Sequence, residues 1–133
     1  PDIFSEVAGG LRRAVVHAER AGVSAEQIVL DIGLGFGKTF DQNFELLANL
    51  DRLAAALPPL PLLVGASRKS FIGKAAGDIP AAERVPGSVA AAIAAVMQNA
   101  AVVRVHDVKE TVQAITVAMA IKNHRIGTGQ GEL

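Results

Sequence analysis

Two apolar rhythms alternate along this chain, and that alternation restricts its possible folds more than any other feature. Short unbroken runs, Gln27-Ile-Val-Leu30, Pro61-Leu-Leu-Val-Gly65 and Ala101-Val-Val103, have the length and composition of buried parallel strands. Between them lie stretches with helical spacing. Ile3, Phe4, Val7, Leu11, Ala14, Val15 and Ala18 predict a helix over 2–21, closed by Gly22. A strand over 27–31 follows, then a helix near 42–56, capped by Asp41 and carrying Phe44, Leu47, Leu50 and Leu53. Leu57-Pro-Pro-Leu-Pro61 leads stiffly into a strand over 62–66. A short helix begins near Ser70, Gly77-Asp-Ile-Pro80 is a loop, and an Ala-rich helix over 87–99 starts at Pro86. The strand 101–105 precedes a last helix carrying Val108, Val112, Ile115 and Met119. A capping box opens that helix, with Asp107 standing in for Ser or Thr and Glu110 at N3. The order α-βα-βα-βα means an α/β fold with parallel strands and right-handed crossovers. Two architectures qualify: a doubly wound sheet, or part of a (β/α)8 barrel, which closes only with eight strands and about 250 residues.

Composition narrows the function classes. The chain has 133 residues, half of them hydrophobic, with 13 basic and 13 acidic side chains and no cysteine. No Lys/Arg stripe of the kind a phosphate backbone requires is present, so no nucleic-acid partner is expected. The lack of cysteine excludes a disulfide framework and favours a reducing compartment. No run reaches the roughly 18 apolar residues of a membrane span. Residues 1–125 read as one unit, and 126–133, with Gly127, Gly129 and Gly131, as a flexible tail.

Each apolar run ends in a polar signature: Asp31-Ile-Gly-Leu-Gly-Phe-Gly-Lys38, Ser67-Arg-Lys-Ser70 and Arg104-Val-His-Asp107. α/β folds bind ligands at the C-terminal ends of their strands. The glycine loop is neither a Walker A loop, whose first Gly would fall on Ile32, nor a G-x-G-x-x-G fingerprint, whose third Gly would fall on Lys38. Gly33, Gly35 and Gly37 still permit close backbone approach to a ligand, and Phe36 could cover a flat one. The alternative is a tight βα turn with Lys38 solvated and Phe36 packed beneath it. Asp31 could accept two hydrogen bonds from an amino-amidine edge such as a pterin or guanine presents, or simply brace the loop.

Ser67-Arg-Lys-Ser70 lies where strand gives way to helix, so its backbone N–H groups, two hydroxyls and two cations suit an anion. The alternative is a solvated basic turn. Arg104 and His106 are two apart on a strand end and share a side with Val102, while Val103 and Val105 face the other way. Arg brings a planar fork for phosphate or carboxylate and His a titratable donor, which makes both ligand candidates. Asp107 reads as a helix cap rather than a catalyst, and His17 and His124 as surface or packing residues. No nucleophile–base pair sits at a strand–helix elbow, and no His and carboxylate cluster forms a self-contained metal site.

With these residues in this order, the chain resembles the C-terminal part of the dihydropteroate synthase family. The family pattern reads D-P-G-x-G-F-G-K, then S-R-K-S, then R-V-H-D-V, and the helix opened by Pro86-Gly-Ser88 fits as well. The resemblance covers about residues 1–125, with Ile32 standing where the family's loop usually has Pro. It implies the C-terminal portion of a (β/α)8 barrel, about three βα units plus a leading helix. It also implies a cytoplasmic transferase of folate biosynthesis, the sulfonamide target. That enzyme joins p-aminobenzoate to 6-hydroxymethyl-7,8-dihydropterin pyrophosphate and releases 7,8-dihydropteroate and pyrophosphate. In that scheme the pterin C–O bond ionises first and the arylamine then attacks the cation.

Carried over by motif, Asp31 holds the amino-amidine edge of the pterin in the glycine loop with Gly35, and Phe36 and Ser70 flank the aminobenzoate. Lys69 contacts the pterin and lines the aminobenzoate pocket. Arg104 stacks on the pterin and, with His106, takes the departing pyrophosphate, so Lys69, Arg104 and His106 are the expected catalytic groups. Mg2+ is the implied cofactor, its main protein ligand lying in strands absent from this sequence, and a homodimer is the implied assembly. The first five strands of the barrel are not in this chain, which opens on Pro1. The expectation is therefore a piece of a longer enzyme, inactive alone. The alternatives are a non-catalytic anion- or pterin-binding fragment that needs a partner chain, and a barrel of the methyltetrahydrofolate methyltransferase type.

Overall fold

The computed structural model describes residues 2–127, so the tail expected over 126–133 lies outside the described residues from 128 onward. Helix α1 spans Ile3–Arg20, opened by Asp2, whose carboxylate accepts the Ser5 N–H at 3.0 Å. Gly22, at φ 94°, lets the chain turn away from α1. Strand β1 is only Leu30–Asp31, shorter than the 27–31 expected. The start of that run is drawn into a 3-10 turn over Ala25–Gln27, where the Ser24 N–H donates to the Gln27 side chain at 3.2 Å. Helix α2 is Phe40–Ala48, α3 Leu50–Ala55, β2 Leu62–Val64 and α4 Ser70–Ala75. A second 3-10 turn, Ala81–Glu83, precedes α5, Val85–Met97; β3, Val102–Val103, and α6, Val108–Asn123, complete the order.

Two expectations need correction. The helix over 42–56 is two helices, and Asp41 is inside the first turn of α2 rather than capping it. Thr39 is the cap: its hydroxyl accepts the Gln42 N–H at 3.1 Å while Gln42 returns a bond to the Thr39 N–H at 2.9 Å. The break falls at Asn49, whose backbone leaves helical geometry (φ −128°). Gln98, at the end of α5, occupies that break. Its amide donates to the Leu47 carbonyl at 2.6 Å and its oxygen accepts the Asp51 N–H at 3.2 Å. One side chain thus satisfies two backbone groups that the interruption frees.

The sheet is parallel in the order β1-β2-β3, with Leu30 opposite Leu62, and Leu63 opposite Val102. Sequential order has no topological switch point, which argues for a barrel segment over a doubly wound sheet. The burial pattern agrees. Leu30, Leu62 and Val64 face a helical layer and join Ile3, Val15, Leu46, Leu50, Leu53 and Phe71 in one core. Asp31 and Val102, on the opposite face, are exposed. The helices therefore cover one face of the sheet, and the other carries the polar strand ends. In α6 the apolar residues are not core: Val108, Val112, Val117 and Ile121 are exposed, and Thr111 is the buried position. No helix among the described residues is long and apolar enough to cross a membrane.

Candidate functional site

The open face of the sheet is organised by one ion pair. Arg104, just beyond β3, reaches over the end of β2 and donates from Nη1 to Asp31 Oδ2 on β1 at 2.7 Å. The residue it crosses is Gly65. A Cβ there would stand 2.3 Å from Arg104 Nη2, so only glycine lets the guanidinium lie against the strand. The other Asp31 oxygen accepts the Gly33 N–H at 2.9 Å, which fixes the carboxylate. Two strand ends separated by a third thus share one planar charged unit.

The glycine loop is held from beneath and from within. Gly33, Gly35 and Gly37 all have positive φ, at 70°, 83° and 62°. Lys38 is not solvated: its Nζ donates to the Gly33 carbonyl at 2.6 Å and the Phe36 carbonyl at 3.1 Å, stapling the loop. Phe36 does not pack under the loop either, being 69% exposed. Ile32, where the family's pattern has Pro, is buried in the core, and its N–H donates to the Leu63 carbonyl at 3.4 Å. A proline could not make that bond, so Ile32 exchanges a fixed φ for a sheet contact and an apolar anchor.

The Ser67-Arg-Lys-Ser70 turn splits its work. Buried Ser67 accepts the His106 backbone N–H at 3.1 Å and lies 2.9 Å from His106 Nδ1, leaving Nε2 as the ring nitrogen for a ligand. Arg68 is engaged by a carboxylate of the chain itself. It sits at φ 57° and binds the Asp107 carboxylate through Nε at 3.1 Å and Nη2 at 2.7 Å. Asp107 occupies the cap position of α6, but this bidentate pair takes its side chain, so the expected capping box does not form. Ser88 and Arg84 hold the turn from behind. The Arg68 N–H donates to Ser88 Oγ at 2.8 Å, and Arg84 Nη1 donates to the Arg68 carbonyl at 2.8 Å. That bracing maintains a left-handed residue other than glycine. Lys69 turns toward the glycine loop, where its Nζ donates to the Leu34 carbonyl and lies 4.9 Å from the Phe36 ring centroid. Ser70 is exposed at the first position of α4.

The electrostatics follow from these contacts. Burial pushes the Asp31 carboxyl up, but the Arg104 hydrogen bond, the Gly33 N–H and the charges of Arg104 and Lys69 outweigh it, and the net shift is downward. Burial lowers the Lys69 ammonium, helped by the positive charge of Arg104, and burial also lowers Lys38. The hydrogen bond from Arg68 holds the Asp107 carboxyl below its ordinary value of 3.8. Depressed carboxyls stabilise the fold fully above their unfolded-state value and lose that contribution as pH falls through the folded one. The urea midpoint is therefore expected to fall as pH drops below about 4, and Asp107→Asn to flatten that acid limb.

Asp31 does not suit a metal ion. It is ringed by Arg104, Lys69 and Lys38, and no group of three His, Cys, Asp or Glu that could hold a metal occurs among the described residues.

The structure links Asp31, Gly35, Phe36, Lys69 and Arg104 through the glycine loop and the ion pair. His106 is tied to the same mouth through Ser67, and Ser70 follows Lys69 at the head of α4. Sequence reasoning missed the supports: Gly65 under Arg104, Asn43 under the loop, and Arg84 and Ser88 behind the turn. Asn43 carried a readable signal, an amide on the same helical face as Leu46, Leu47 and Leu50.

The family described as pterin binding enzyme matches residues 1–106. Dihydropteroate synthase of Escherichia coli is 46% identical over 119 residues, covering 90% of this chain and 41% of its own length. The Xanthomonas albilineans dihydropteroate synthase, solved in complex with 7,8-dihydropteroate, superposes with a TM-score of 0.88 at 40% identity, covering 93% of this chain and 47% of that one. The same enzyme with 4-aminobenzoic acid gives 0.88 at 40% identity, covering 93% and 45%. The chain thus spans less than half the length of these relatives, and the fold it shares with them is part of a TIM barrel. Neither a methyltransferase-type barrel nor a purely non-catalytic fragment is favoured by these likenesses. A family match over residues 1–106 and 46% identity across 90% of the chain make this chain a member of the pterin-binding enzyme family.

Proposed function

We infer that this chain supplies the pterin, aminobenzoate and pyrophosphate contacts of a dihydropteroate synthase. The observation that carries the reading is the Asp31–Arg104 pair beside Lys69, which brings three strand ends to one mouth. Asp31 accepts the amino-amidine edge of the pterin, its carboxylate already oriented by Gly33. Arg104 covers the flat ring, Lys69 and Phe36 line the aminobenzoate side with Ser70 near its carboxylate, and His106 joins Arg104 at the leaving group. The pterin methylene–oxygen bond breaks with its electron pair going to pyrophosphate. The arylamine nitrogen then bonds to the carbocation and loses a proton. Stabilising a pyrophosphate leaving group, which gains one more negative charge as the bond breaks, while shielding a cation calls for preorganised charge more than for an acid–base pair, and Arg, Lys and His are the side chains present.

Magnesium enters this reading only through residues outside the chain, since cations surround Asp31 and Arg68 takes the Asp107 carboxylate. A homodimer, sulfonamide sensitivity and a cytoplasmic location belong to the same proposal.

The test is formation of 7,8-dihydropteroate and release of pyrophosphate from the two substrates. Carried in an enzyme whose barrel is complete, Arg104→Leu and Lys69→Met are each expected to cost about 100-fold in turnover or more, with the circular dichroism spectrum unchanged. Full turnover in either variant would sink the assignment. The 133-residue chain by itself is expected to form no detectable product, because three strands cannot enclose a pterin; turnover by it alone would overturn that part.

A further inference from the structure

One peptide group connects α2 to the lysine of the site. Asn43 lies on the first turns of α2, is 2% exposed, and stands among apolar core residues. Its Nδ2 donates to the Thr39 carbonyl at 2.9 Å and its Oδ1 accepts the Gly35 N–H at 2.8 Å, so it ties the end of the glycine loop to its middle. The Gly35 N–H belongs to the same peptide plane as the Leu34 carbonyl, the acceptor for Lys69 Nζ. The order is Asn43 Oδ1, Gly35 N–H, Leu34 C=O, Lys69 Nζ. A planar amide cannot turn one end without the other, and accepting at N–H polarises C=O. Gly35 completes the seat: at φ 83°, it leaves room for the lysine stem, where a Cβ would come within 3.0 Å of Lys69 Cδ.

We propose that Asn43 is a positioning residue for Lys69, setting where the ammonium sits through the Leu34–Gly35 peptide. Its relevance to turnover rests on reading Lys69 as a substrate contact; its geometry does not. A helix-to-loop brace alone would need only some hydrogen bond to the loop. Here the bond falls on the peptide that holds the lysine, and the helix cap is already supplied by Thr39 and Gln42.

Two nuclear magnetic resonance measurements on the 13C-lysine, 15N-labelled protein test this. Lys69 Nζ lies 4.9 Å from the Phe36 ring centroid, so its ε-methylene protons are expected to be ring-current shifted, with Phe36→Leu giving the unshifted reference. In Asn43→Leu more than half of that shift is expected to vanish. Asn43→Asp, which keeps an acceptor for the Gly35 N–H, is expected to keep the shift. A folded Asn43→Leu protein that keeps the shift would overturn the proposal.

The second measurement leaves Asn43 untouched. In Lys69→Met the Gly35 amide proton is expected to move upfield, while in Lys74→Met, on the same helix but paired with Asp78, it stays in place. A Gly35 amide indifferent to Lys69 would equally overturn the proposal. Neither measurement involves turnover, so failure of the synthase reading would leave both outcomes unaltered.

Discussion

Carried in an enzyme whose barrel is complete, Gly65→Ala is expected to lower turnover by about 100-fold while changing the stability of the fold by less than about 1 kcal/mol. The methyl group would occupy the place of the Arg104 guanidinium, 2.3 Å from Nη2 and 2.7 Å from Cζ. Something must move, and the far end of a flexible arginine moves most easily. The pair it would leave is 53% exposed on the arginine and 42% on Asp31, and ion pairs this exposed contribute about 0–1 kcal/mol. The fold therefore loses little. The site loses the one group that spans β2, and misplacing a reacting or positioning group by an ångström can cost about 100-fold. Asp31, freed from Arg104, is expected to titrate closer to its ordinary value. Urea denaturation beside steady-state kinetics measures both halves of the expectation. Gly87→Ala provides the contrast, since its Cβ would lie 2.6 Å from Ile72 Cγ2 inside the α4–α5 packing. There the neighbour is core, and the cost is expected in stability, about 1–3 kcal/mol. If Gly65→Ala unfolds the protein or leaves turnover unchanged, the guanidinium does not need its seat on β2.

The contrast between these two glycines shows what a sequence reveals and what it withholds. Periodicity locates the three strands and every helix except the separate α2 and α3, because apolar spacing reports which face a helix or strand buries. The polar signatures were legible for the same reason: a charged residue directly after an apolar run has few places to be except a strand end. Asp31 and Arg104 stand at strand ends for that reason, and the structure brings Phe36, Lys69 and His106 to the same mouth. What periodicity does not carry is the direction of a long side chain. Arg68 and Lys69 are adjacent cations in one turn, yet one closes on Asp107 at the head of α6 and the other enters the glycine loop. The left-handed backbone at Arg68 separates them, and no local spacing rule predicts it for arginine. The same contact diverts Asp107 from capping α6, which a window of four residues could not anticipate. Boundaries failed for a related reason. The division between α2 and α3 is held by Gln98, some fifty residues away in sequence, so it is a tertiary event.

Phe71→Ala is expected to cost about 3–5 kcal/mol, which for a domain of ordinary marginal stability is a large part of the total. Phe71 is fully buried, and α4, which carries it, has only six residues. A helix that short does not persist without tertiary packing. Its anchor is this ring, set edge-on to Phe44 of α2 with centroids 5.1 Å apart and planes at 82°. Ile72 beside it is also buried, so α4 faces the core through one aromatic and one aliphatic side chain. The loss should reach the site as well, because Lys69 and Ser70 stand at the head of α4 and follow it if it shifts. Val112→Ala on α6 is the control. Val112 is 57% exposed, and a change there should stay within about 0.5 kcal/mol. Urea midpoints at neutral pH separate the two. A Phe71→Ala protein as stable as the parent would mean that α4 docks by other contacts, and that Lys69 is held in place only by the glycine loop.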